Sequence, residues 1–491
     1  MTQVARRGAT LLVALAVALA ALMACALPVG AQPALAAEPL AAADVFATEG
    51  GVAAQGDTVT VVSYGYGSAS DLGISITFPA SIACGQPTTF TLAGVNGTGN
   101  YKYRIYSLSE GDGVTAVYDE SHYGNSNYST DNTWSFTFYA SGTYYIRFSV
   151  MDLGAGKYMS SGMYDCKLVV DDAGYPSVDQ IVASVAKECL AQCSTDYDKA
   201  LWLHDWLVYH SSYDYSYSRC SAEGVLAAGT GTCESYHRAY EKLLAAVGLE
   251  SGRIEGTKSS LHVWTAVKID GQWCQVDTTW DEDEAQTPYP AYAAAGDLQL
   301  TADDLCHLYF GVDDAIISLV HTDHTPQAAY ASNTLDNDYF IRNGRAADFA
   351  AGTVDLAAIQ SQLDAGVESF TLTAKNASWV ANYKNVVDNV AAWWLSGRNW
   401  ATSQGASVQL DVAYADDVYT FQATYTKDWL KGDVNNNGEL NIVDAQLAFD
   451  YARLWSDDAD MGKRADVTGT DGVVDATDAR AIMYATHYGW A

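Results

Sequence analysis

Positive charge is scarce in this chain of 491 residues. It has 26 Lys and Arg against 59 Asp and Glu, a formal charge of -33. A surface of that sign repels phosphate, which excludes nucleic acid and anionic membrane as main partners. Proline is also scarce, at 9 residues, and no low-complexity tract occurs. The composition is therefore that of folded domains. After Leu27 no apolar run reaches the roughly 18 residues that a spanning helix needs. No paired-carboxylate pattern of a glycosidase stands out. Cysteine is present but awkward in number. Of 9, Cys25 falls in the leader, and 84, 166, 189, 193, 220, 233, 274 and 306 remain. If one of these eight is a free nucleophile, at least one more stays unpaired. The spacing settles no disulfide.

The leader reads as an export signal over residues 1–37. Arg6 and Arg7 precede the apolar stretch Leu11 to Leu27, and Ala34-Leu35-Ala36 offers a small-x-small cleavage site. Leu22-Met23-Ala24-Cys25 is a looser alternative, a lipoprotein-type anchor. The expected location is extracellular. At about 100–200 residues per domain, the length implies several domains.

Residues 38–57 are Ala- and Gly-rich and read as a flexible leader. From 58 to 172 short alternating runs recur, among them "ISITF", "YKYRIYSL", "TWSFTFYA" and "TYYIRFSV". Turn residues separate them. That spacing predicts an all-β, immunoglobulin-like sandwich, serving as a spacer or binding module. Helical periodicity follows in "VDQIVASVAKECLAQC" and "DKALWLHDWLVYHSSY". A catalytic unit is expected over 173–325. Residues 326–427 mix strand and helix signals and read as a small α/β accessory unit. A repeated acidic motif fills 428–491.

The chemistry centres on "GTGTCESYHRAYEKLLAAVGL". Tyr236, Tyr240, Leu243, Leu244 and Val247 make an apolar stripe, and Gly248 is a stop signal. Cys233 falls in the first turn. There, unpaired N–H groups and the helix dipole favour a thiolate. Gly229 and Gly231 are expected to let another backbone or a substrate approach the thiol. A nucleophile needs a base. His237 lies one turn along the same helix and reads better as a packing histidine. His262 is the better candidate. Asp270-Gly271 is a two-residue hairpin turn. It predicts pairing of Ile269 with Gln272, Trp264 with Asp277 and His262 with Thr279. His262 and Asp277 then become diagonal neighbours on one face of the ribbon. Val263, Val267, Ile269 and Val276 fall on the other face as core. A helix-start cysteine with a His–Asp pair suits thiol acyl transfer.

These segments, with "HVWTAVKIDGQWCQVDTTWDE" and the upstream "ALWLHDWLVYHSSYDY", resemble the transglutaminase-like superfamily of papain-like fold. The resemblance covers about 150 residues. It implies Cys233 as nucleophile, His262 as base and Asp277 as the acid that orients it. It also implies that the Cys233 backbone N–H is one oxyanion donor. Members include cross-linkers, peptidases and amidases, so the reaction stays open at this level. Glu234 reads as substrate-side tuning at most.

The tail duplicates a calcium-loop pattern, with copies starting at Asp433 and Asp466, 33 residues apart. Asp433, Asn435, Asn437, Asn441 and Asp444 occupy loop positions 1, 3, 5, 9 and 12, and Gly438 occupies 6. In the second copy Asp471, Asp475 and Asp478 take positions 5, 9 and 12. Asp466 lies one residue too far back, so an insertion near Thr468–Thr470 bulges out. The pair of loops, each followed by a helix, resembles a dockerin domain. That resemblance implies structural Ca2+ and a cohesin module on a scaffold protein as partner. Loop positions 10 and 11 would face cohesin. They are Ile442 and Val443 in one copy and Ala476 and Thr477 in the other.

The whole reads as a multidomain α+β protein: sandwich, papain-like transglutaminase core, α/β accessory unit and α-helical dockerin with paired EF-hand-like calcium loops. The expected activity is a secreted peptidase or amidase working through a thioester, docked on a cellulosome-like scaffold with no catalytic cofactor. A cross-linking transglutaminase is one alternative. An inert binding module recruited to a polysaccharide-degrading complex is the other.

Overall fold

The computed structural model describes residues 52–65, 69–110, 128–160, 167–256, 262–286, 294–295, 298–321, 327–403, 406–426, 431–454, 459–468 and 473–490. The expected export signal, Cys166, Asp471 and Gly472 lie outside the described residues.

The N-terminal part forms two antiparallel sheets. One runs β1 (Val52–Gln55), β2 (Thr58–Tyr64), β3 (Gly73–Pro79), β4 (Pro87–Val95), β6 (Thr133–Thr137). The other joins β5 (Tyr101–Glu110), β7 (Gly142–Asp152) and β8 (Lys157–Ser160), with β9 (Lys167–Val170) also on β7. Alternate residues of β2, β3, β4 and β7 point inward, and Val61, Ile76, Phe90, Phe148 and Val150 fill one shared core. The expected flexible leader is shorter than its sequence suggests. Val52–Gln55 pairs with Thr58–Val61 as an edge strand.

The sandwich is fastened to the next unit by a buried ion pair. Arg219 donates to Glu223 at 2.9 Å and to the Thr137 carbonyl at 2.6 Å. Glu223 in turn accepts the Tyr139 N–H at 2.7 Å. A bare buried carboxylate would be costly, and the guanidinium offsets that cost.

The central unit starts with α1 (Val178–Gln192), capped by the reciprocal Ser177–Gln180 box, and α2 (Asp196–His210), capped by Thr195. A short π-helical turn, Gly224–Ala228, ends at left-handed Gly229. Then comes α3 (Cys233–Ala246). Its stripe of Tyr236, Tyr240, Leu243 and Leu244 is fully buried. Each such side chain is worth about 1.5–3 kcal/mol. The sheet behind it runs β10 (Ser251–Glu255), β11 (Val263–Ile269), β12 (Gln272–Val276), β13 (Phe310–Val312). Both its faces are covered. Val267, Ile269 and Val276 face the α1–α3 core, and Trp264 and Ala266 face a second core.

That second core alters the expected domain boundary at 325/326. It runs without a break from Ile254 and Leu298 to Phe340, Val387, Leu410 and Phe421. The accessory part, with α6 (Ala381–Gly397) over the sheet Ser369–Thr373, Val418–Thr426, Ser407–Ala415, Trp400–Ala401, therefore packs as one body with the β10–β13 sheet. Between β13 and α6 lies α5 (Asp314–Val320), capped by Asp313. The tail forms α7 (Ile442–Leu454), α8 (Ala459–Ala465) and α9 (Ala476–Tyr488) around a small core of Val434, Ala448 and Ile482. Among the described residues no helix is long and apolar enough to cross a membrane.

Candidate active site

The hairpin register matches the sequence expectation. Asp270 and Gly271 both take positive φ, 52° and 80°, as a type I′ turn requires. Ile269 pairs with Gln272 and Thr265 with Val276. One feature differs. "QWCQVDTTW" is not a single strand. The strand stops at Val276, and α4 (Thr278–Gln286) begins. Thr279 is therefore helical and does not pair with His262. The cause is local: Asp277 Oδ1 accepts the N–H groups of Thr279 at 3.1 Å and Trp280 at 3.2 Å, capping the helix.

Asp277 Oδ2 is left to face His262. Nε2 of His262 lies 2.6 Å away. The same imidazole hydrogen-bonds Cys233, and with Nε2 engaged, Nδ1 is the atom left for the sulfur. Cys233 is 2 % exposed and sits at the first position of α3, behind Thr232. So the nucleophile, base and acid expected from the sequence come together. Burial pulls the His262 pKa down. The Asp277 charge, its hydrogen bond and the contact with Cys233 outweigh that and lift it to about 10. Burial pushes Asp277 upward, but His262 and His321 hold it well below the usual carboxylate range. The arrangement favours an imidazolium between a carboxylate and a sulfur.

The sequence reading missed His321. Its Nε2 donates to Asp277 Oδ2 at 2.8 Å. It stands at the C-terminal end of α5 and stacks on Trp264 with ring centroids 4.5 Å apart. It meets the Trp280 ring edge-on at 4.1 Å. Nothing local marks it. It is the first histidine of "HTDH", which follows an apolar run.

Three neighbours turn out to be structural. His237 is buried, hydrogen-bonds Thr265 Oγ1 at 2.9 Å, and burial drives its pKa well below the ordinary value. Glu234 is not substrate-side. It pairs with Arg238 at 2.5 Å and Arg253 at 2.7 Å, tying α3 to β10. Gly231 makes room for a side chain rather than a substrate: a Cβ there would lie 2.3 Å from Ser235 Oγ. Among the described residues the cysteines at 84, 189, 193, 220, 274 and 306 form no disulfide.

In the tail, Asp433 and Asp444 are buried, and no Lys or Arg among the described residues forms an ion pair with either. Asp433 accepts the N–H groups of Asn437 at 3.1 Å and Gly438 at 2.7 Å. Asp444 accepts those of Asn435 at 3.2 Å and Asn441 at 2.9 Å. In the second loop Asp478 is buried and accepts the Val467 and Thr468 N–H groups at 3.0 and 2.8 Å. Asp475 caps α9.

Cys233 at a helix start thus lies beside a His–Asp pair held at the ends of two adjacent strands. Residues 183–278 match the model of the transglutaminase-like superfamily, so the chain contains a transglutaminase-like domain. No curated protein matches the chain. Among solved structures, "a TGase" is 17% identical with a TM-score of 0.20, covering 21% of this chain and 31% of that one. This chain thus spans about a third of that protein's length. A "putative cysteine protease from Cytophaga hutchinsonii" is 13% identical with a TM-score of 0.19, covering 45% and 76%. A "putative protease from Parabacteroides distasonis" is 12% identical with a TM-score of 0.16, covering 35% and 37%. At these TM-scores the structural likenesses carry no argument of their own.

Proposed function

We propose that this chain is an exported cysteine-dependent acyl-transfer enzyme that hydrolyses protein or peptide amides. The observation that carries the reading is the line from Cys233 through His262 to the buried Asp277. His262 holds the thiol's proton on Nδ1 as an imidazolium, and the sulfur attacks the amide carbonyl as the thiolate. The Cys233 N–H, at the start of α3, faces the developing oxyanion. His262 returns the proton to the leaving amine as the C–N bond breaks, leaving a thioester. Water, deprotonated by His262, then releases the acid and restores the thiol. Asp277 holds the productive tautomer throughout.

The experiment is incubation of the full chain with a peptide library, with and without a primary amine, read by mass spectrometry. Peptides shortened at an amide, or carboxamides converted to acids, support hydrolysis. Amine adducts that dominate would make it a cross-linking transglutaminase. No product from wild type, with Cys233 inert to iodoacetamide, would make the domain a binding module. Cys233→Ala must abolish any product counted as support.

We further read the tail as a dockerin and the N-terminal sandwich as an immunoglobulin-like module. The first loop suits Ca2+: two buried carboxylates, with no cationic partner among the described residues, share the loop with the Asn435, Asn437 and Asn441 side chains. Bound there, Ca2+ would neutralise that charge and fix the loop. Ile442 and Val443 are 61 % and 51 % exposed, which supports a cohesin-facing role. The chain would then sit on a scaffold among polysaccharide-degrading partners. Chelation that leaves cohesin binding intact would refute this part.

A further inference from the structure

Two histidines outside the Cys233 site converge on one carboxylate oxygen. His204 lies on α2 and is fully buried. Its Nδ1 is 2.9 Å from Asp205 Oδ1, and its Nε2 is 2.9 Å from Asp281 Oδ2 on α4. His307 follows the short helix Ala302–Leu305 and is also buried. Its Nε2 is 2.9 Å from the same Asp205 Oδ1, and its Nδ1 is 2.7 Å from the Asp303 carbonyl oxygen. The two ring centroids are 5.4 Å apart.

The proton count is informative. The outer nitrogens, His204 Nε2 and His307 Nδ1, face a carboxylate and a backbone carbonyl. Both partners are acceptors, so both outer nitrogens carry a proton. A neutral imidazole has only one. In neutral rings the inner nitrogens, His204 Nδ1 and His307 Nε2, would be bare lone pairs aimed at a carboxylate oxygen; burial opposes protonating them, but their hydrogen bonds to Asp205 raise both pKa values, so without a metal protons take that place. Three acceptors facing one another repel unless something positive lies among them. Outer N–H groups held by a carboxylate and a carbonyl are also the usual support of metal-ligating histidines. Asp281 is itself fixed, since its Oδ1 accepts the Tyr309 N–H at 3.0 Å. The Tyr339 ring lies flat on His307, at 3.8 Å and 5°.

We propose that His204 Nδ1, His307 Nε2 and the Asp205 carboxylate bind a divalent transition metal of the zinc class. These ligand atoms all lie within 4.8 Å of one another. A tetrahedral zinc holds neighbouring ligand atoms about 3.3 Å apart at its ordinary bond lengths of about 2.0–2.1 Å. The 2.9 Å spacings need an outward shift of only a few tenths. The Asp205 side chain is 35 % exposed, so solvent reaches the remaining position and supplies the fourth ligand. Cys306 is not in the set. Its Sγ is 3.4 Å from His307 Nδ1, on the outer side of that ring. The ion would clamp α2 to the segment after Ala302–Leu305, with α4 held through Asp281. Asp281 lies one helical turn beyond Asp277, so the metal would brace the helix that Asp277 caps. It takes no part in acyl transfer, and its binding can be read without any substrate.

The test uses the full chain, stripped with chelator and returned to millimolar Ca2+ so that the tail loops are served. Co2+ is the probe, because tetrahedral N/O coordination gives visible absorption bands. One equivalent should bind, Zn2+ should displace it, and Zn2+ should raise the melting temperature. Asp205→Asn and His307→Gln should each weaken Zn2+ binding by about 100-fold or more, whereas Cys306→Ser should not change it. If His307→Gln fails to fold, the partly exposed Asp205→Asn carries the comparison. Absence of a stoichiometric site would overturn the proposal and leave protons as the balancing charge. So would binding that survives Asp205→Asn.

Discussion

Asp277→Asn is the sharpest perturbation, because Asp277 accepts four hydrogen bonds. Oδ2 takes His262 Nε2 and His321 Nε2, and Oδ1 takes the N–H groups of Thr279 and Trp280. The side chain is fully buried, so water cannot substitute. Asparagine offers one oxygen and one NH2. However the amide turns, two of the four donors meet another donor. If its oxygen stays on the helix, the NH2 faces both imidazoles. His262 must then carry its proton on Nδ1, towards Cys233, where it can no longer act as base. If the oxygen faces the imidazoles, α4 loses its cap. Two buried donors without acceptors cost about 1–3 kcal/mol each, so stability should fall by roughly 2–6 kcal/mol. Turnover should fall by about 10⁴-fold, as an Asp→Asn change does in a Ser–His–Asp triad. A readout that needs no substrate is iodoacetamide labelling of Cys233 against pH. In wild type, Cys233 should label ahead of the other thiols near neutral pH. In the variant, labelling should shift to alkaline pH, because the imidazolium that supports the thiolate is lost. Near-normal turnover, or an unchanged labelling profile in a folded variant, would refute the argument.

The second histidine gives a milder test. His321→Phe keeps a ring against Trp264 but removes one charge-assisted hydrogen bond, worth about 1.5–3 kcal/mol. Turnover should drop about 10–100-fold with KM little changed, and His321→Gln should recover part of it; no effect of His321→Phe would remove the residue from the positioning of Asp277. The pH dependence of stability has a defined sign. The folded pKa of His262 is raised to about 10, so its contribution is complete below about pH 6.5, its ordinary value, and is lost as pH rises through about 10. That of Asp277 is lowered, so its contribution is present above about pH 3.9 and lost only in stronger acid. The alkaline fall in melting temperature should be absent in Asp277→Asn; an equal fall in both proteins would assign it elsewhere. In the tail, Asp433→Ala should abolish the tighter calcium site in a calorimetric titration, and Asp478→Ala should be milder. Two equally tight sites in the wild type would contradict the one-residue insertion in the second loop.

What the sequence determined was local. The Asp270-Gly271 turn needs positive φ at both positions, and that need sets the register of β11 against β12. The register alone makes His262 and Asp277 diagonal neighbours. The 3.6-residue stripe of α3 likewise placed Cys233 at a helix start, because its apolar residues had to face one way. The end of β12 was harder to see, since "VDTTW" alternates like a strand and only the capping contacts of Asp277 turn it into a helix. The tertiary structure decided everything that depends on distant partners. His321 reaches Asp277 from 44 residues away in the chain. Glu234 finds Arg253 on β10, and Ser235 takes the space that Gly231 leaves. His204 meets His307 from 103 positions away. No period or spacing encodes such meetings, because a side chain's partner across a core is fixed by how the helices and sheet stack. For the same reason the boundary at 325/326 looked like a domain edge: composition changes there, but one apolar core closes over both sides of it.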